Sequence, residues 1–119
     1  MLVGVDSIES ERMSKNLNDD TLKTFFTNYE IEYSNKTSNK VLRLAGIFCA
    51  KEAFLKALGI GIGGGINLSE IEINHNKNGK PYLKLSQNAL KFVNDLGYTS
   101  YEINISHTDK FSFAVCIIS

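Results

Sequence analysis

Phe48-Cys49-Ala50-Lys51-Glu52-Ala53-Phe54-Leu55-Lys56-Ala57-Leu58 is the stretch that decides the fold. It is rich in strong helix formers, and no Gly or Pro interrupts it. Extended back to Ser38 or Asn39, it predicts one long helix closed by Gly59 just past its C-cap. Glu52 sits among Phe48, Cys49, Ala53 and Phe54, and Lys56 follows at i+4 on the same face. A carboxylate and an ammonium on an apolar helix suit a metal ion and a phosphate. A solvated i,i+4 ion pair, worth roughly 0.2–0.5 kcal/mol, is the competing reading at this stage. Gly46 costs the helix about 1 kcal/mol relative to Ala and signals close approach by a neighbouring element.

Upstream, Leu2-Val3-Gly4-Val5 reads as a short buried strand ended by Asp6. Asp6 is placed either to cap the next helix or to meet a ligand. A polar helix spans about residues 8–17, and a short helical piece carries Leu22, Phe25 and Phe26. Thr27-Asn28-Tyr29-Glu30 has the pattern of a capping box, Thr at the N-cap and Glu at N3.

Downstream, residues 59–65 hold five glycines in seven positions. They follow a helix and lack the Gly-Lys-Ser/Thr ending of a Walker loop, so they read as a connection and not a phosphate cradle. Ile71 and Ile73 alternate with polar residues as a strand, Tyr82, Leu83 and Leu85 form the next, and Asn78-Gly79 predicts a type I′ hairpin. Ser86 caps a helix with Ala89, Leu90, Val93 and Leu96 inward and Gly97 at its end. Two further strands, 101–106 and 111–118, join through His107-Thr108-Asp109-Lys110. The order predicts an α+β domain, a mostly antiparallel sheet packed on one long helix and shorter helices. Residues 1–119 read as a single domain without repeats.

Thirteen basic and thirteen acidic side chains cancel, which argues against a nucleic-acid binder and favours self-association over repulsion. The two cysteines, Cys49 and Cys116, lie in apolar runs and read as buried thiols of a reducing cytosol. Met1-Leu2-Val3-Gly4-Val5-Asp6 has no basic region and is not a signal peptide, and no apolar run approaches the ~18 residues of a membrane span. A soluble cytoplasmic protein is expected. There is no Cys-x-x-Cys, no His-Glu-x-x-His and no Gly-x-Ser-x-Gly.

Four blocks occur in order: Val3-Gly4-Val5-Asp6; Ala45-Gly46 running into Lys51-Glu52-Ala53-Phe54; Asn78-Gly79-Lys80-Pro81-Tyr82; and Ser106-His107-Thr108. Together they resemble the 4′-phosphopantetheinyl transferases of the holo-acyl-carrier-protein synthase type, over almost the whole chain. The resemblance implies Mg²⁺-dependent transfer of 4′-phosphopantetheine from coenzyme A to a serine of apo-acyl carrier protein, with 3′,5′-ADP released, as in fatty acid biosynthesis. It implies Asp6 and Glu52 as metal ligands and, with Lys56, as the catalytic set. Lys56, Lys80, Pro81, His107 and Thr108 become coenzyme contacts, and Arg12 a contact for the acidic carrier. It also implies a homotrimer with shared sites, in which Asp6 and His107 come from one chain and Lys56 from the next. His75 lies in a polar stretch and receives no role.

Three positions depart from the family pattern. Ser7 follows Asp6 where an apolar residue is usual, and Ile47 and Thr24 each stand where an arginine is common. Two cations are thereby lost from the implied phosphate and carrier contacts, while the metal pair is retained. Arg43, one turn before Ile47 on the same face, is placed to reach the phosphate that the missing arginine would meet. A non-catalytic coenzyme A- or nucleotide-binding module of the same fold is the alternative, and a Mg²⁺-dependent nucleotide pyrophosphate hydrolase a remoter one.

Overall fold

The computed structural model describes residues 1–119. Strand β1 (Leu2–Glu9) is followed by helices α1 (Ser10–Asn16), α2 (Asp19–Phe25), α3 (Asn28–Asn35) and α4 (Lys40–Ala57). Then come the hairpin β2 (Ile71–His75) and β3 (Pro81–Leu85), helix α5 (Gln87–Asp95), and strands β4 (Tyr101–His107) and β5 (Phe111–Ile118). The architecture is α+β with every strand pair antiparallel, but the strands form two sheets, β1-β5-β4 and β2-β3.

Helix α4 is the core. Leu44, Ile47, Ala50, Ala53, Phe54 and Leu55 are all at most 1% exposed. A helix apolar on nearly every side has to be surrounded. The β1-β5-β4 sheet packs on one flank, with α1, α3 and β2 against others. Asn39 caps its start by accepting from Leu42 N–H at 3.1 Å. At its end Gly59 (φ 76°) lets Ile60 N–H reach Leu55 O and Gly59 N–H reach Lys56 O, both at 3.0 Å, a Schellman ending.

Gly4 brings β1 onto this helix. A Cβ there would overlap Ala53 O and lie 2.5 Å from Ala57 N, both backbone atoms that cannot swing away. Gly4→Ala is therefore expected to cost about 3 kcal/mol or more through overpacking, read as a fall in the urea midpoint at unchanged m-value. Gly46 makes the second close approach, as its helical position foretells. A Cβ would come 2.5 Å from His107 Cε1.

Several local expectations are corrected. β1 does not stop at Asp6: Ser7, Ile8 and Glu9 pair with Phe113, Ser112 and Phe111, so the length of β5 sets the length of β1. Asp6 consequently caps no helix, since α1 starts after Glu9 without a side-chain cap. The β2-β3 connection is no type I′ turn. Asn76 O accepts from Gly79 N–H, Asn76 N–H donates to Lys80 O, and only Gly79 has positive φ (83°). That is a type I turn with a glycine bulge, supported by Asn76 Oδ1 accepting from Asn78 and Lys80 N–H, each at 2.9 Å. In α5, Ala89 and Val93 face inward, whereas Leu90 and Leu96 are 36% and 53% exposed. The Thr27–Glu30 capping box and the Ser86 cap form as read from the sequence.

Candidate active site

Alternation along β1 places Leu2, Gly4, Asp6 and Ile8 toward the helix and Val3 and Val5 outward. Asp6 thus points from mid-strand at the C-terminal half of α4, where Glu52 and Lys56 project. Lys56 Nζ lies 2.9 Å from Asp6 Oδ1, so the lysine pairs with the strand carboxylate and not with Glu52 one turn back. The i,i+4 reading of Glu52 and Lys56 is therefore replaced by a long-range contact. Asp6 and Lys56 meet inside one chain.

Glu52 Oε1 is buried and has no hydrogen-bond partner. Burial first, and then the charge of Asp6, hold its carboxyl above the usual glutamate range, and Lys56 opposes them. Asp6 and Glu52 line one cavity of about 530 Å³ with Ser7, Arg12, Phe25 and Phe48 among its walls. A buried carboxylate oxygen without a donor, beside a second carboxylate at a cavity wall, is a donor set suited to a hard divalent cation that keeps most of its water and substrate oxygens. Cys49 is inert beside this site: its thiol donates to Ser112 O at 3.6 Å, and burial followed by Asp6 pushes its pKa far up.

A second cluster surrounds the N-terminal half of α4. Arg43, Gly46, Ile47, His75, Pro81 and His107 line a cavity of about 140 Å³. His107 Nδ1 is 3.0 Å from Ser112 Oγ, which in turn donates to Leu42 O at 3.4 Å. No residue lines both cavities. Arg43 and Glu52 are nine residues apart, about 14 Å along the helix axis. Lys80 and Thr108 are exposed, and Thr108 Oγ1 accepts from Phe111 N–H to close the β4-β5 turn.

The sequence-derived site residues therefore gather in two groups: Asp6, Glu52, Lys56 and Arg12 in one, and His107 and Pro81 in the other. A model of the 4′-phosphopantetheinyl transferase superfamily matches residues 2–116. The chain belongs to that family. The holo-[acyl-carrier-protein] synthase of Syntrophus aciditrophicus is 37% identical over 118 residues, covering 97% of this chain and 92% of the relative. Among solved structures, the Helicobacter pylori holo-[acyl-carrier-protein] synthase in complex with coenzyme A superposes with a TM-score of 0.86. It is 29% identical and covers 99% of this chain and 100% of the other. The Bacillus anthracis synthase in complex with CoA (3′,5′-ADP) gives 0.81 at 31% identity, covering 98% and 94%. The chain is thus a transferase of the holo-acyl-carrier-protein synthase type.

Two residues of this transferase escape the sequence reading. His75 stacks on Tyr33 with ring centroids 3.7 Å apart and planes 7° from parallel. Its signal was present, because His75 falls in phase with Ile71 and Ile73 on the inward face of β2. Lys51 is fully buried, with Nζ 2.6 Å from Glu30 Oε1. Nothing local to Lys51 marks this, since its partner lies on another helix.

Proposed function

We propose that this transferase moves 4′-phosphopantetheine from coenzyme A to a serine of an apo-acyl carrier protein, with Mg²⁺ on Asp6 and Glu52 and 3′,5′-ADP as the leaving product. The observation that carries the reading is the unpartnered, buried Oε1 of Glu52 facing the same cavity as Asp6. A bound Mg²⁺ would supply neutralisation of charge on the pyrophosphate. The bond from the serine oxygen to phosphorus forms as the phosphorus–oxygen bond to 3′,5′-ADP breaks, and the departing phosphate keeps the electron pair. Lys56, half-exposed and anchored by Asp6, points a fixed positive charge at that region. The serine proton passes to Glu52 or to a water beside it. A carboxyl held above the usual range is a stronger base than a free glutamate. Arg12, on the wall of the same cavity, meets the acidic carrier and speeds its docking.

The outer face of the β1-β5-β4 sheet exposes Val3 (54%), Val5 (60%), Phe111 (39%), Phe113 (44%) and Ile117 (40%). An apolar face of this kind, on a chain of zero net charge, supports assembly with further copies, a homotrimer by the family likeness. In such an assembly the family likeness implies active sites shared between neighbouring chains. Residues 1–119 act as one transferase domain. No helix is long and apolar enough to cross a membrane, and a cytoplasmic location fits substrates of this kind.

The test combines the protein, coenzyme A, Mg²⁺ and an apo-acyl carrier protein, followed by mass spectrometry of the carrier. A gain of one phosphopantetheine group is expected. An unchanged carrier with coenzyme A consumed would indicate a hydrolase, and no turnover with coenzyme A bound would indicate a binding module. Lys56→Ala is expected to lower kcat about a hundredfold with little change in the carrier's KM, because its charge faces the pyrophosphate. An equal loss confined to the carrier's KM would move Lys56 to the docking surface.

A further inference from the structure

Helix α2 and the glycine-rich segment 59–65 supply two walls of the Asp6–Glu52 cavity, through Phe25 and Ile62. The same two side chains line a neighbouring cavity of about 370 Å³, with Lys23, Gly63 and Leu68 around it, and so divide the two spaces. Neither wall has much packing of its own. Helix α2 is seven residues long and buries none of them. At Gly61 and Gly63 even an added Cβ would meet nothing within 4 Å. Both walls are nevertheless tied to α4 by one ammonium. Lys51 Nζ donates to Phe25 O at 2.8 Å, in the last turn of α2, where helix carbonyls lack intrahelical partners. It donates also to Leu68 O at 2.9 Å, just past the glycine-rich segment. The third donor goes to Glu30 Oε1, and Glu30 is itself held by Thr27 and Ile73 N–H.

We propose that Lys51 is a positioning residue for the transfer: it fixes the separation of α2 and the glycine-rich segment, and with it the width of the cavity in which Asp6 and Glu52 act. The inference rests on the transferase reading for what the cavity holds. The clamp itself stands on the hydrogen bonds alone. Lys51 lines neither cavity and touches no substrate; it acts through the backbone of Phe25 and Leu68. Phe25 carries the effect to the site, since its ring lies 5.3 Å from that of Phe48, one turn before Glu52 on the same cavity wall. Burying an ammonium and a carboxylate together is costly, and an apolar side chain of similar length would fill the same space. Such a side chain would hold neither carbonyl, and α2 and the glycine-rich segment would part. Displacements of about 1 Å around a reacting centre cost roughly a hundredfold in rate, so this loosening is felt in turnover.

Two variants separate a clamp from a merely stabilising pair. Lys51→Met strands the Glu30 carboxylate, whereas Lys51→Met with Glu30→Gln removes that charge but still lacks the two carbonyl bonds. The double variant is therefore expected to regain melting temperature without regaining turnover. Assayed well below its melting midpoint, it should show kcat about tenfold under the parent, with KM for coenzyme A and for the carrier within about threefold. Turnover that recovers together with stability overturns the proposal. Hydrogen–deuterium exchange without substrate is the second readout, and the double variant carries it if Lys51→Met does not fold. Amides of residues 22–26 and 58–68 should exchange about tenfold faster than in the parent, while those of the β1-β5-β4 sheet keep their protection. Exchange that is unchanged in both segments, or faster evenly along the chain, overturns the proposal. If exchange rises in those two segments alone but the parent transfers nothing to the carrier, the clamp stands and the transferase reading falls.

Discussion

Glu52→Gln is expected to reduce transfer to the carrier by about a thousandfold or more, with little recovery at high Mg²⁺. The substitution conserves volume and removes one anionic oxygen from the only side chain of the Asp6 cavity whose carboxylate oxygen is buried without a partner. Asp6 cannot replace it, because in this reading Asp6 is already the other ligand, and its Oδ1 also accepts from Lys56 at 2.9 Å. A carboxamide offers one neutral oxygen and a nitrogen donor, which suits neither a hard cation nor the acceptance of the serine proton. Stability should move the other way. Burial and Asp6 both disfavour the Glu52 anion, so the neutral Gln removes a repulsion and raises the melting temperature. A variant with near-parental turnover would show that Glu52 neither holds the metal nor takes the proton. Loss of activity together with a lower melting temperature would mean that the residue is structural.

Lys51→Met is expected to cost about 3–5 kcal/mol, the range for removing one partner of a buried ion pair. For a chain of this size that lowers the melting temperature by roughly 10 °C or more. All three ammonium donors of Lys51 are used: Glu30 Oε1 at 2.6 Å, Phe25 O at 2.8 Å and Leu68 O at 2.9 Å. Glu30 is equally saturated, accepting from Thr27 N–H at 2.8 Å and Ile73 N–H at 2.7 Å as well. The pair therefore ties α4 to α2, α3, β2 and the turn before β2. Burial drives the Glu30 carboxyl up and the Lys51 ammonium down, and each partner resists the shift of the other.

Without Lys51, the Glu30 pKa in the folded state rises further above its unfolded value. A group of that sign contributes stability below its unfolded pKa and loses it as pH climbs through the folded pKa. The destabilisation should accordingly be largest at neutral pH and shrink as pH falls toward the ordinary glutamate range. Adding Glu30→Gln should restore part of the loss at pH 7, because the stranded charge is gone. Thermal melts of the two variants between pH 5 and pH 8 check both statements. A pH-independent loss, with no rescue by Glu30→Gln, would show that Lys51 contributes packing and not charge.

The long helix could be read from residues 48–58 because every signal for it is local: formers, i+4 spacing and a glycine to close it. The capping box at Thr27, the Ser86 cap and the close approach at Gly46 were legible for the same reason. The end of β1 was not, because strand length is set by the partner, and β5 lies more than a hundred residues away. The Asn78-Gly79 turn was misread because Asn76, outside the dipeptide, holds the loop in its type I form through two side-chain hydrogen bonds.

The chemistry divides in the same way. The family and the central helix are legible in the residues alone, because both are carried by short blocks in fixed order. Only the tertiary structure decided which charges meet. Lys56 joins Asp6 across 50 residues, Lys51 finds Glu30 inside the core, and His75 enters a cavity with Arg43 and His107. The physical reason is that a helix presents several lysines of equal local standing. Burial and the reach of a partner from another element, neither encoded within one turn, select which of them stays in water, which anchors the core and which pairs with a carboxylate of β1.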